Sequence, residues 1–219
     1  MTDSPQTRTV QQLKQYAQLK PRTLPVQKRA RETVDLILEA AAELVDEVGI
    51  VAFTTELLAQ RAGIRIRTVY RYFPNKLGVL RALLLHLNAE SEEQLGPYSL
   101  LGDRERDWRE VVSLWVDELI VWSRTRLGAR LIMDWGFAVP ELLEEQERLN
   151  LGWTRDMMSA LRDRGVEIPS KQLYGVCRTF VEMLDLLSIR ANAQTDEYPD
   201  EVVEEMRRAL ISYLANYLD

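Results

Sequence analysis

Apolar positions recur along this chain at helical spacing. Val34, Leu36 to Leu38, Ala41, Leu44, Val45 and Val48 form one stripe, which Gly49 closes as a C-cap. Thr54 or Thr55 caps a short helix over Glu56 to Arg61, and Glu56 suits the positive end of its dipole. Gly63 supplies a tight turn. A second short helix runs from about Ile66 to Tyr72, with Val69 and Phe73 facing inward. Pro74 stops it, and Asn75 caps the helix that starts at Lys76. Longer amphipathic segments are predicted at roughly 104–126, Ser170 to Ile189 and Asp200 to Leu218. Sustained period-two alternation and Asn-Gly or Asp-Gly turns are missing, so the pattern predicts an all-α protein.

Charge divides the chain. Residues 1–85 carry thirteen Lys and Arg against eight Asp and Glu, net +5; residues 86–219 carry fifteen against twenty-six, net −11. The whole-chain value of −6 speaks against a nucleic-acid binder, because phosphate contacts need cations. The partition reverses that inference for the first part. Its basic character begins in an irregular arm, residues 1–27, where Pro5, Pro21 and Pro25 interrupt regular structure.

Composition narrows the chemistry. Cys177 is the single cysteine and His86 the single histidine, which excludes an intramolecular disulfide, a Cys-rich zinc module and multi-histidine metal sites. No catalytic set, metal site or cofactor is expected. Val79 to Leu87, the longest apolar stretch, is broken by Arg81 and His86 and is too short to span a bilayer. A cytoplasmic protein is the expectation.

Two short helices around a Gly turn describe a helix-turn-helix. The second presents Arg65, Arg67, Thr68, Tyr70, Arg71 and Tyr72, with no acid among them. Arginine forks match guanine O6 and N7, and hydroxyls match phosphate or base edges. Lys76, at a helix start, suits phosphate.

The run Val48-Gly49, Phe53-Thr54-Thr55, Leu58-Ala59-Gln60-Arg61-Ala62-Gly63-Ile64 and Thr68-Val69-Tyr70-Arg71-Tyr72-Phe73-Pro74-Asn75-Lys76 closely resembles the DNA-binding domain of TetR-family transcriptional regulators. The resemblance covers about residues 30 to 85. It implies a three-helix DNA-binding domain, a larger C-terminal helical bundle and a homodimer on a palindromic operator. By that resemblance Thr55, Thr68, Tyr70, Tyr72 and Lys76 match phosphate-contacting positions, and Arg65, Ile66, Arg67 and Arg71 match positions near base edges. Two residues depart from the pattern. Arg65 and Arg67 stand where a Ser or Thr cap and a small residue are usual, and Glu56 stands where a basic or neutral side chain suits phosphate better.

The domain organisation expected is an arm at 1–27, a DNA-binding domain at 28–75 and an effector and dimerisation domain at 76–219. In the last, Trp108, Trp115 and Trp122 recur every seven residues, with Val112 and Leu119 in the same stripe. Core packing is one reading. The other is an aromatic wall for a small apolar or amphipathic effector, formed by Trp115, Leu119, Trp122, Trp135 and Cys177. Asp117, Arg130 and Asp134 are further polar candidates. The expected function is a ligand-responsive regulator, a repressor. The alternatives are an α-helical enzyme using carboxylates of the acidic part and a dimeric regulator without a small effector.

Overall fold

The computed structural model describes residues 28–95, 98–129, 140–191 and 199–219. The arm at 1–27 and Trp135, Arg130 and Asp134 lie outside them. Among the described residues there are eight α-helices, one 3-10 turn and no strand. The helices are α1 (Lys28–Ala52), α2 (Thr55–Arg61), α3 (Ile66–Tyr72), α4 (Lys76–Leu95), α5 (Trp108–Thr125), α6 (Pro140–Arg164), α7 (Ser170–Ala191) and α8 (Pro199–Leu218). The all-α expectation holds.

Two compact units emerge. One comprises Met1–Glu93 and Arg126–Leu142, the other Gln94–Thr125 and Leu143–Asp219. The helix-turn-helix unit therefore takes in most of α4 and the residues that follow α5.

In the first unit α1 turns Ile37, Leu38, Ala41, Leu44 and Val45 inward, all at most 3% exposed. Its helical path breaks at Gly49 (φ 72°, ψ 170°). After the break Phe53 is buried at 1% exposure, as are Leu58, Val69 and Phe73 of the same unit. Helix α4 is buried all round from Gly78 to Ala89. Arg81, His86 and Asn88 are buried along with its apolar residues, and such all-round burial places the helix in the interior of this unit.

In the second unit α5 packs on α7 and α8, and α7 pairs with α8. Trp108, Val112, Trp115, Met157, Leu161, Phe180 and Leu214 share one core. The α5 helix starts later than its sequence predicts, at Trp108 rather than 104. The Asp107 carboxylate accepts from the Arg109 backbone N–H at 2.9 Å and fixes the start there. The α6 helix is not predicted by its sequence. Its buried stripe runs Leu142, Gln146, Asn150, Thr154, Met157, Leu161 at steps of three and four. Three of those six positions are polar, which hides the periodicity.

No described helix is long and apolar enough to cross a membrane.

Candidate nucleic-acid interface

Two seven-residue helices are too short to persist alone, so their caps and packing set their geometry. Thr54 is the N-cap of α2, and its hydroxyl accepts from Leu57 N at 3.1 Å. Gly63 (φ 64°) makes the turn in a left-handed conformation that other residues adopt at a cost. Arg65 caps α3 through its backbone only, with no side-chain hydrogen bond, so the departure from Ser or Thr leaves that cap bare. Thr55 Oγ1 and Tyr70 OH lie 3.0 Å apart and hydrogen-bond, tying α2 to α3. Asn75 Oδ1 accepts from Gly78 N at 2.9 Å and starts α4, as its sequence predicts.

The cations of this unit fall into two groups. Arg61 is committed: it donates to Glu43 Oε2 at 3.3 Å and to Glu47. Lys76 is committed too. Its Nζ donates to Ile50 O at 2.6 Å and lies 6.0 Å from the Phe53 ring centre. Partial burial lowers the Lys76 pKa. The lysine thus holds the last turn of α1 against the start of α4, rather than standing free at a helix end. Arg65 and Arg67, by contrast, are exposed and meet no carboxylate among the described residues. Ile66 and Tyr70 are exposed at 37% and 39%.

The helix α3 therefore displays Arg65, Ile66, Arg67, Tyr70 and Arg71, with Thr68 half-buried. The Arg71 guanidinium lies 5.7 Å from the Tyr72 ring centre. One expectation needs correction. Tyr72 is buried at 5%, not presented, because it falls three residues after Val69 on the inward stripe. Thr55 is likewise buried at 6%, its hydroxyl engaged with Tyr70. Glu56 is exposed, with one carboxylate oxygen 3.4 Å from Thr55 Oγ1.

A second set in this unit was not foreseen. Arg126 Nε donates to Glu90 Oε2 at 2.7 Å, and its Nη2 to Glu39 Oε1 at 3.1 Å. His86 Nε2 lies 3.2 Å from Glu90 Oε1. These contacts join α1, α4 and the residues after α5. Glu39, His86 and Glu90 are close enough to share a metal ion. Arg126 already lies on both carboxylates and supplies the positive charge itself. Burial acts to raise the Glu90 pKa, but the hydrogen bonds from His86 and Arg126 outweigh it and hold the carboxyl at about 2.

A depressed carboxyl pKa stabilises the fold above its ordinary value of 4.5, and that stability drains away as pH falls toward about 2. Glu90 is 30% exposed, so screening trims the effect to on the order of 1–2 kcal/mol. Glu90→Gln should thus lower the unfolding free energy at pH 7 by that amount and match the parent near pH 2. Equal stability of the two proteins at pH 7 would refute the assignment.

In the second unit the aromatic candidates are core. Trp115 is 3% exposed, its ring edge-on to Tyr98 at 5.0 Å, and its Nε1 has no partner. Leu119 packs against the same core, and Trp122 is buried at 5%. Cys177 is fully buried, and burial pushes its thiol up to about 12, so it behaves as an apolar side chain. Asp117 turns outward instead and accepts from Arg207 at 2.6 Å.

A helix-turn-helix on a helical body, with an acid-free display of arginine on its second short helix, defines the class of a transcriptional regulator. Residues 37–83 match the family model for bacterial regulatory proteins of the tetR family, and residues 107–214 match that for the tetracyclin repressor-like C-terminal domain. A TetR-family transcriptional regulator of Streptomyces coelicolor is 30% identical, with a TM-score of 0.63 over 85% of this chain and 99% of that one. The chain belongs to the TetR family. The tetracycline repressor class A from transposon 1721 of Escherichia coli is 31% identical over 99 residues, 42% of this chain. That match spans 46% of the repressor, less than half its length. SmeT of Stenotrophomonas maltophilia in complex with triclosan shares the fold at 23% identity, with a TM-score of 0.66 over 86% of this chain and 92% of that one.

Proposed function

We propose that this regulator binds a palindromic operator as a homodimer, inserting α3 of each copy into the major groove, and that a small effector held by the second unit releases it. One observation carries the DNA reading. Arg65 and Arg67 stand exposed and uncommitted on a braced helix, while the neighbouring cations Arg61 and Lys76 are spent inside the fold. A guanidinium fork that forms no internal pair is available for a guanine edge. Arg71 and Tyr70 flank it, where phosphate contacts would set the register.

The dimer follows from the reach of one module. A single short helix reads few base pairs, and two half-sites about one helical turn apart (~10 bp or a multiple) give usable affinity. Relatives bear on repression and on a small effector. The curated relatives are tetracycline repressors, and SmeT is described with triclosan bound.

Selection of bound duplexes from a random pool tests the reading as a whole. A palindrome with fixed half-site spacing supports it; recovery of unrelated sequences with no common half-site rejects it. Arg67→Ala on the selected site should cost about 1–3 kcal/mol if the side chain makes a bidentate base contact. An equal loss on the operator and on random duplex would make Arg67 a phosphate contact instead.

A further inference from the structure

The polar half of the α6 stripe is the feature that neither the core nor the DNA face explains. The stripe continues as Met157 and Leu161, both fully buried, so apolar residues suit this geometry. Gln146 and Asn150 nonetheless occupy equivalent positions, at 8% and 4% exposure. Thr154 satisfies itself by donating to Asn150 O at 2.7 Å. The two amides do not close on themselves. They form a chain that leads to α7.

That chain has a direction. Asn150 Nδ2 donates to Asp185 Oδ2 at 3.3 Å, and Gln146 Nε2 donates to Asn150 Oδ1 at 2.9 Å. Asn150 thus turns its NH2 toward the Asp185 carboxyl oxygen and its own oxygen toward Gln146. Only the Gln146 NH2 can answer that oxygen. Gln146 Oε1 is left over, sealed from solvent and without a partner among the described residues. A buried acceptor left unmade is costly, and a leucine here would avoid that cost. The acceptor calls for a partner that the described fold does not supply.

The surroundings say which partner. Arg178 is shared between Glu147 and Glu182, and Asp185 stands beside them. With the neighbouring Arg148–Glu145 pair included, four carboxylates stand against two guanidinium groups, so the local field favours a cation. Burial and Glu182 raise the Asp185 pKa, while the Asn150 hydrogen bond and Arg178 oppose the rise. Leu143, three residues before Gln146, and Leu186, next to Asp185, are exposed at 47% and 59%.

We propose that Gln146, Asn150 and Asp185 form the polar pole of the effector site and select an organic ammonium, an N–H donor head on an apolar body. The proposal rests on the reading that a small effector acts on the second unit. It moves the polar end of that site from the Trp115 wall to α6 and α7.

Three probes of one shape separate donor from charge: 4-phenylbutylamine, its trimethylammonium derivative and 4-phenylbutyrate. Calorimetry on the full-length protein should show the amine binding at least about tenfold tighter than either of the others, since only it both donates and carries positive charge. Gln146→Leu should abolish that advantage without lowering the melting temperature. Asp185→Asn removes the group that sets the direction of the chain. The amides are then free to reverse, and the preference for amine over carboxylate should shrink to within about threefold. The Asp185 variant alone decides the matter if Gln146→Leu does not fold. Absence of amine binding, an amine no tighter than the quaternary salt, or an unchanged preference in Asp185→Asn overturns the proposal. Operator binding without probe is measured in parallel. Its loss would reject the regulator reading, while a failed amine titration with intact operator binding rejects only the polar pole.

Discussion

Phe53→Ala should abolish operator binding and destabilise the helix-turn-helix unit by about 3–5 kcal/mol, the usual cost of emptying a buried aromatic site. Phe53 is 1% exposed, and it reaches the core because α1 breaks at Gly49, whose carbonyl accepts the Phe53 N–H at 3.2 Å. Leu58 of α2 and Val69 and Phe73 of the α3 segment are buried in the same unit, each at most 4% exposed. Lys76 Nζ completes the arrangement by holding Ile50 O across the same ring. The two seven-residue helices have little stability of their own, so they depend on this packing for their mutual angle. Denaturant unfolding followed by fluorescence and by operator binding should show binding lost first, with much of the helical signal surviving in the second unit. Leu57→Ala is the matched control. Leu57 sits on the same helix at 39% exposure and should change stability by under about 0.5 kcal/mol. A Phe53 variant within about 1 kcal/mol of the parent would mean the ring is not the keystone of this unit.

Residues 28 to about 76 are readable because each local signal agrees with the tertiary outcome. Thr54, Gly63, Pro74 and Asn75 punctuate the helix-turn-helix, and Val69 and Phe73 turn inward as their spacing demands. What the sequence hid is side-chain commitment. Arg61, Arg65, Arg67 and Lys76 look equivalent in a string. Only the fold shows that Glu43 and Glu47 take the first and the Ile50 carbonyl takes the last. Tyr72 misleads for a related reason, since its hydroxyl invites a polar reading at a position that the stripe makes internal. Helix α6 shows no clear apolar period because Gln146, Asn150 and Thr154 hold three of its buried positions. The set of Arg126, Glu39 and Glu90 was invisible because its members lie 36 and 87 residues apart.

Gly128→Ala should cost about 2–4 kcal/mol, combining the left-handed backbone penalty with overpacking against a helix. Gly128 has φ 81°, and a Cβ there would stand 2.9 Å from Ala42 Cβ and 3.1 Å from Ala42 Cα. Ala42 belongs to the α1 backbone and cannot swing aside like a long side chain. Leu87 Cδ1 of α4, at 3.3 Å, closes the other side. The glycine also donates its N–H to Asp46 Oδ2 at 2.9 Å, two residues after Arg126 grips Glu39 and Glu90. Three anchors therefore hold residues 126–129 on α1 and α4, and the added methyl pushes against all of them. A second substitution tells strain from clash. Ala42→Gly alone should cost about 1 kcal/mol of helix propensity. Combined with Gly128→Ala it removes the Cβ that the new methyl strikes at 2.9 Å, leaving the backbone penalty of about 1–2 kcal/mol and the looser approaches to the Cα of residue 42 and to Leu87. The double variant should then be more stable than the sum of the singles predicts, by about 1 kcal/mol or more in a double-mutant cycle. Strict additivity would show that the segment relaxes away from α1 and that this close approach does not stabilise the fold.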